Sequence, residues 1–458
     1  MSDDSWIGPA LDYVLSWLEF QMRQSELPGC AIAVARRGRI ILEKAFGCAD
    51  LSSGEAFTPR HRFRIASHSK SFTAAGIMKL REQGRLKLDD SVGDFVPDLH
   101  PKVAATTIAQ LLSHSAGIIR DGTDSGQVAD RRPFPDVEEI LADLKNPPAI
   151  EPNTRFKYSN HGFGLLGLVI EKIAGEPYDV WIKREIVEAA GLEETEPDMP
   201  LPAGAWFARG HTGKLPLGRR LVIPGDFSTN AVRPAGGFVS TAHDLALYFA
   251  QLSPTSKKSV LSVDSRREMT RRQWRNPHSS LESYYGFGLT SGSLAGWDWF
   301  GHGGGLQGYI SRTAVLSEQD LAISVLTNAI DGWAHPWVDG VIRILRRFAQ
   351  EGAPTAAVGE WTGRWWTVWG AADLVPIGDK VLVAGPGWLN PFTDASEIEI
   401  TAPDQGRIAL ASGTGSHGEK VRRVRDSDGN VTELWLGATK LLPEGEVAAE
   451  IEDRYSQP

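Results

Sequence analysis

Hydrophobic residues recur at helical spacing over residues 6–25, where Trp6, Leu11, Val14, Leu15, Leu18 and Met22 fall on one face. Leu27-Pro28-Gly29 ends that helix. Two apolar runs, Cys30 to Ala35 and Arg39 to Phe46, follow around Arg37-Gly38 and read as a hairpin. Helical spacing returns from Ser67 to Gln83, with Phe72, Ala75, Met78 and Leu80 in phase. Two further helices are expected at 137–145 and 162–175, the second stopping at Gly175. Residues 196–236 are rich in Pro and Gly and show no periodicity; an irregular stretch that long lines a site or covers one. Tyr309 to Leu316 and Leu321 to Thr327 read as strands, and 333–350 as a closing helix.

Near Ala349-Gln350-Glu351-Gly352-Ala353-Pro354-Thr355 the pattern changes. Beyond it helical periodicity disappears. Short strand-like runs take over, at Lys380 to Ala384, Glu397 to Ile400, Arg407 to Ala411 and Thr432 to Leu436, separated by turn residues such as Asp428-Gly429-Asn430. Six of the fifteen tryptophans lie here: Trp361, Trp365, Trp366, Trp369, Trp388 and Trp435. This pattern predicts a small all-β barrel or sandwich. Two domains are therefore expected, 1–352 and 353–458, in a chain whose length exceeds one ordinary domain.

Composition narrows the class. The 458 residues are 41% hydrophobic and 23% charged, enough for a sizeable core, with a net charge of -9 that disfavours nucleic acid or an anionic membrane as partner. Cys30 and Cys48 are too few for a disulfide framework and read as buried free thiols. The acidic start, Met1-Ser2-Asp3-Asp4-Ser5, shows no signal peptide, and no apolar run reaches the ~20 residues of a membrane span. A cytoplasmic enzyme is the expectation.

The candidate chemistry has three parts. The first is Ser67-His68-Ser69-Lys70. Residues three apart share a helix face, so the Lys70 amine can reach the Ser67 hydroxyl, which needs an adjacent base to act as a nucleophile. A lysine serves as base when it is desolvated, and Phe63, Ile65, Ala66 and Phe72 supply apolar surroundings. A serine at a helix start also lies beside backbone amides suited to an oxyanion. Taken alone the pattern is common by chance. The second part is Tyr158-Ser159-Asn160, a turn that can aim Tyr158 and Asn160 into one cleft; read locally, Ser159 or Asn160 also fits as a cap for the next helix. The third is Gly301-His302-Gly303-Gly304-Gly305, whose glycines let a substrate backbone approach a strand edge. An amide at Gly304 or Gly305 is a candidate to complete the oxyanion site, and His302 to bond a substrate carboxylate or the tyrosine oxygen. A local alternative is a bulge or turn with a surface histidine.

These elements, in this order, resemble the serine β-lactamase and penicillin-binding-protein superfamily, and most of all its class C branch with the D-aminopeptidases and related esterases. Phe63-Arg64-Ile65-Ala66-Ser67-His68-Ser69-Lys70, Leu111-Leu112-Ser113-His114-Ser115-Ala116-Gly117, Pro234-Ala235-Gly236-Gly237-Phe238, Tyr285-Gly286-Phe287-Gly288 and Leu326-Thr327-Asn328 strengthen the likeness, which covers roughly residues 10–350. The resemblance implies an α+β fold: an antiparallel sheet flanked by helices, with a helical lobe beside it. It implies acylation of Ser67, Lys70 and Tyr158 as base and proton shuttle, and Asn160 lining the site. His302 would replace the lysine of β-lactamases, as in D-aminopeptidases, which points away from efficient penicillin hydrolysis. The C-terminal region resembles the lipocalin-like barrel appended to such peptidases, with a hairpin near residues 412–418 able to reach the cleft.

The Gly-x-Gly-x-x-Gly matches at 303–308 and 413–418 precede strand-like residues, so neither fits a dinucleotide site. No spacing suits a metal, and no cofactor is expected. The expected activity is hydrolysis of small amides or short peptides, D-configured or otherwise non-standard. An esterase or acyltransferase, a β-lactamase, and a non-catalytic penicillin-binding or sensor module are the alternatives. The expected partner is a small molecule or short peptide, and homo-oligomerisation is left open.

Overall fold

The computed structural model describes residues 4–215, 217–276, 282–411 and 415–456. Ser412, Gly413 and Thr414, part of the hairpin thought able to reach the cleft, lie outside the described residues. The chain forms two compact units, one of Leu27–Val338 and one joining Met1–Glu26 to Asp339–Pro458. Where the sequence suggested one break near residue 352, the compact units divide the chain after Glu26 and after Val338.

The larger unit is built on a nine-stranded antiparallel sheet. Its centre is Gly29–Arg36 beside Leu321–Thr327, paired from Cys30 with Thr327 to Arg36 with Leu321. Both strands are almost wholly buried, which explains their continuous apolar runs. Tyr309–Leu316 and Trp297–Leu306 continue the sheet on one side, and Arg39–Asp50 on the other. Cys30 is buried and Cys48 half-buried; both are free thiols.

The helix Ser69–Glu82 runs through the core and leaves almost nothing exposed. Asn160–Ala174 packs on it, and at Gly76 there is no room for a methyl group beside Ile182 and Trp181. Ala242–Leu252 and Val263–Thr270 are helices that the apolar pattern did not single out. Each starts at a hydroxyl cap: Thr241 accepts from the Asp244 amide and Ser262 from the Ser265 amide. Among its described residues the irregular stretch 196–236 carries two-residue strands, a 3-10 turn at Asn230–Val232 and the four-residue helix Arg233–Gly236. Arg64, fully buried, pins it. Its guanidinium meets Asp198 at 2.9 Å, donates to the carbonyls of Gly225 and Gly237 at 2.9 Å, and reaches that of Phe227. A buried cation needs such complete pairing to be tolerated.

In the other unit, eight antiparallel strands run in sequence order from Gly363–Thr367 to Thr439–Leu441. A bridge between Trp366 and Leu442 brings the last strand back to the first, so the sheet is a nearly closed barrel. Val358, Trp361, Leu374, Val381, Ile398, Val421 and Leu434 fill it. The helix Ile7–Ser25 belongs to this unit. Trp17, fully buried, donates through Nε1 to the Trp388 carbonyl at 3.1 Å, and Gln21 to that of Pro386 at 2.7 Å. Helix does return beyond residue 352, at Glu444–Tyr455. Only Val447 is buried there, so this helix has no apolar stripe to betray it. No helix among the described residues is long and apolar enough to cross a membrane.

Candidate active site

Ser67 sits in a single 3-10 turn, Ala66–His68, that leads directly into the helix Ser69–Glu82. Ala66 has φ of 47°, a left-handed conformation that costs a residue with a Cβ about 1–2 kcal/mol. Its surroundings hold it there. The Ile65 amide donates to the Phe238 carbonyl at 3.0 Å and the Ser69 hydroxyl to the Ala66 carbonyl at 2.6 Å. The Ser69 oxygen in turn accepts from the Phe238 amide at 3.0 Å. Strain concentrated beside one hydroxyl is a mark of functional turns.

Two predicted side chains meet at that hydroxyl, and a third, Asn160, holds one of them. Tyr158 Oη donates to Ser67 Oγ at 2.8 Å, and Lys70 Nζ stands 3.3 Å from the same oxygen. Lys70 Nζ also reaches Asn160 Oδ1 and the Ala235 carbonyl, each at 2.7 Å, so the neutral amine can donate to these two and keep its lone pair for Ser67. Nζ lies 4.7 Å from the Tyr158 ring centre and 5.6 Å from that of Phe163. Both readings of the Tyr158-Ser159-Asn160 turn hold at once. Ser159 caps the helix Asn160–Ala174, its oxygen accepting from the Gly162 amide at 2.9 Å, and the residues on either side point to Lys70 and Ser67.

The glycine cluster is part of the strand Trp297–Leu306, neither a bulge nor a turn. Gly304 lies against the nucleophile turn: a Cβ there would fall 2.1 Å from the Ile65 carbonyl oxygen. Gly305 is exposed, and a Cβ on it would meet only Ile310 at 3.5 Å. His302 is buried and makes no bond to Ser67, Lys70 or Tyr158. Its Nδ1 lies 2.6 Å from the Gly303 carbonyl and therefore carries the hydrogen; Nε2 then accepts from Tyr285 Oη at 3.1 Å. Its tyrosine is thus Tyr285, whose ring stands edge-on to that of Tyr158 at 6.4 Å.

Burial dominates the electrostatics. It pushes the Lys70 ammonium well below the ordinary lysine range; Asp121 opposes that shift and Arg120 adds to it. It raises the Tyr158 phenol above its usual range, so this tyrosine is a neutral donor. It lowers His302 to about 3, with Lys70 contributing, and the imidazole is neutral at physiological pH.

Several residues of the site were given no role by the sequence. Asp121 accepts from Asn160 Nδ2 at 2.5 Å and so aims Asn160 Oδ1 at Lys70. His114, held at φ of 57°, accepts the Ser159 amide on Nδ1 at 3.1 Å, and its ring lies 4.2 Å from that of Tyr158. His68, directly after the nucleophile, faces away from it. Its Nδ1 is 3.1 Å from the Ile65 carbonyl and 3.2 Å from Ser311 Oγ, and Nε2 is 3.0 Å from Thr313 Oγ1, itself 3.0 Å from Ser324 Oγ. His68 and His114 each stand between two serines in stretches that carry the family resemblance, whereas Asp121 had no such signal. Among the described residues no three His, Cys, Asp or Glu side chains are grouped to hold a metal.

The beta-lactamase family model matches residues 16–334, more than half of the chain. The chain belongs to the beta-lactamase family. This is the superfamily of serine hydrolases that also holds the penicillin-binding proteins. Among curated relatives, Protein flp of Staphylococcus aureus strain MW2 is 26% identical over 328 residues, taking in 68% of this chain. That alignment spans 61% of the relative's own length. Two solved structures share the fold. The octameric penicillin-binding protein homologue from Pyrococcus abyssi has a TM-score of 0.66 at 24% identity, covering 94% of this chain and 100% of that one. The D-amino acid amidase from Ochrobactrum anthropi SV3, complexed with D-phenylalanine, has a TM-score of 0.65 at 24% identity over 74% of this chain and 99% of its own.

Proposed function

We propose that this family member is a serine hydrolase that forms an acyl-enzyme on Ser67 and cleaves small amides or short peptides, D-configured or otherwise non-standard. The observation that carries this reading is the position of Ser67 Oγ, 3.3 Å from a dry lysine amine and 2.8 Å from a buried phenol. Lys70, its proton affinity lowered by burial, takes the hydroxyl proton as Ser67 attacks the scissile carbonyl. Tyr158, protonated in the resting site, gives its proton to the leaving nitrogen and recovers from Lys70 the proton that Ser67 gave up. Asn160 holds Lys70 in line. The amides of Ser67 and of Gly304 or Gly305 receive the oxyanion. Water then attacks the ester on Ser67, with Lys70 and Tyr158 acting in reverse.

The fold shared with a D-amino acid amidase supports amide substrates. A neutral His302 with both ring nitrogens engaged supports small amides over β-lactams, because it offers no cation to a lactam carboxylate. An esterase or acyltransferase would use the same acyl-enzyme.

A fluorophosphonate probe should label Ser67 in the folded protein, and Ser67→Ala should abolish labelling and turnover without loss of fold. A panel of D-amino-acid amides, D-dipeptides, short p-nitrophenyl esters and nitrocefin, read by mass, should show amide cleavage ahead of nitrocefin. A folded protein that neither labels nor turns over any of these would instead be a binding module.

A further inference from the structure

Within the barrel unit, the helix Ile7–Ser25 and the strands Gly363–Thr367 and Gly370–Ile377 border a cavity of about 330 Å³. That volume falls in the range of small-molecule sites, roughly 300–1,000 Å³. The cavity lies on the outside of the barrel, whose interior is filled by its own side chains. Arg364 and Asp373 face it, alternating along their strands with Trp365 and Leu374, which point into the barrel. Pro9, Phe348, Pro354, Val375 and Pro376 give it apolar walls.

The polar groups on those walls are fixed but incompletely paired. Asp373, 3% exposed, accepts from Arg364 Nε on Oδ1 at 2.7 Å and from Nη2 on Oδ2 at 2.9 Å. Nη2 also donates to the Ser16 carbonyl at 3.1 Å, which leaves Nη1 without a partner among the described residues. Tyr13 is 9% exposed, and its hydroxyl makes no hydrogen bond of normal geometry. The ring is held 5.7 Å from that of Phe392. Burial, and then the charge of Asp373, raises the Tyr13 phenol above its usual range, so it keeps its proton. Asp373 is the nearby acceptor, and both of its oxygens already face Arg364. A buried donor without an acceptor is rare in a native fold and calls for one.

Charge selects among acceptors. Arg364 and Asp373 cancel, and Asp12 on the rim leaves one carboxylate in excess, which repels an anion. A carbonyl oxygen on an uncharged molecule meets the free donors without that repulsion.

We propose that this cavity is a second binding site, sharing no residue with that of Ser67, for a small neutral ketone or amide: an apolar body bearing one carbonyl oxygen that accepts the Tyr13 hydrogen. The apolar walls bury the body and the Tyr13 hydroxyl orients it.

The test titrates the full chain with prodan, a neutral naphthyl ketone whose emission shifts to the blue in apolar surroundings. Wild type should bind it saturably at one site, and Ser67→Ala should bind it equally. Tyr13→Phe should weaken binding by about three- to tenfold. The analogue with propyl in place of propionyl has no acceptor, and wild type and Tyr13→Phe should bind it alike. Gly359 lines the cavity, and a carbon added there meets nothing within 4 Å, so Gly359→Phe should fill the space and weaken both compounds at least tenfold. Circular dichroism melts establish that each variant is folded; if Tyr13→Phe is not, Gly359→Phe decides alone. Absence of saturable binding to wild type overturns the proposal and marks a gap filled by water. So does binding that neither variant alters, which would place the ketone elsewhere. Equal weakening of both compounds by Tyr13→Phe also overturns it, because the hydroxyl would then be structural.

Discussion

Gly304 and the carbonyl of Ile65 approach so closely that a methyl group on Gly304 would stand 2.1 Å from the Ile65 oxygen. One residue, Ala66, separates that carbonyl from the nucleophile, and the contact is with backbone, which cannot yield as the end of a flexible side chain would. Gly304→Ala should therefore push the strand away from the Ser67 turn, cut turnover at least tenfold and destabilise the fold by about 1–3 kcal/mol. Gly305→Ala, whose added carbon meets only Ile310 at 3.5 Å, should keep wild-type stability. Urea denaturation and probe labelling of the two variants side by side check this.

The pH profile of kcat/KM should rise on a limb set by Lys70, because only its neutral amine can take the Ser67 proton. Burial places that midpoint well below the ordinary lysine value. Asp121 pulls it up, so Asp121→Asn should move the limb to lower pH. No step from His302 should appear near pH 6–7, since that imidazole titrates at about 3. A limb that stays in place in Asp121→Asn would count against Lys70 as the base.

The same burial has a consequence for stability. Between its lowered folded value and ~10.4, Lys70 binds a proton in the unfolded chain and not in the native one. The wild-type fold should therefore gain on Lys70→Met as pH rises, by up to about 1.4 kcal/mol per pH unit across that window. The gain is complete above the unfolded value and lost as pH falls through the folded one. Denaturant titrations of both proteins at pH 7 and pH 10 measure it. A constant difference between them would show that Lys70 keeps an ordinary proton affinity.

His68 ties the residue after the nucleophile to the central sheet through the Ile65 carbonyl and Thr313. Its ring is buried and held neutral by desolvation. His68→Ala should cost about 2–4 kcal/mol, through a cavity and lost hydrogen bonds, and should slow fluorophosphonate labelling of Ser67. Unchanged stability would mean that the turn is held by Ser69 and Phe238 alone.

The order of Ser67, Lys70, Tyr158, Asn160 and the glycine strand was legible because each sits in a local pattern that survives folding. Tyr309–Leu316 and Leu321–Thr327 were legible for the same reason: buried strands cannot hide their apolar runs. What escaped lies in pairings distant in sequence. Asp121 matters only because Asn160 starts a helix 39 residues later, and nothing in its own neighbourhood says so. Arg64 reads as one more surface charge until the stretch 196–236 closes around it. Glu444–Tyr455 escaped for the opposite reason: with one buried residue, it has little apolar signal to give.

The helix Ile7–Ser25 shares a compact unit with strands that begin more than three hundred residues later. The larger unit is in effect an insertion between the first element of the other unit and the rest of it. During synthesis, Trp17 leaves the ribosome first, while the Trp388 carbonyl that receives its Nε1 hydrogen follows 371 residues behind. The larger unit can close on itself in that interval; the helix must wait, with an indole still unburied, until the barrel strands arrive. The bond between Trp17 and the Trp388 carbonyl can thus form only after the intervening residues are made, and until then that indole needs some other shield from water.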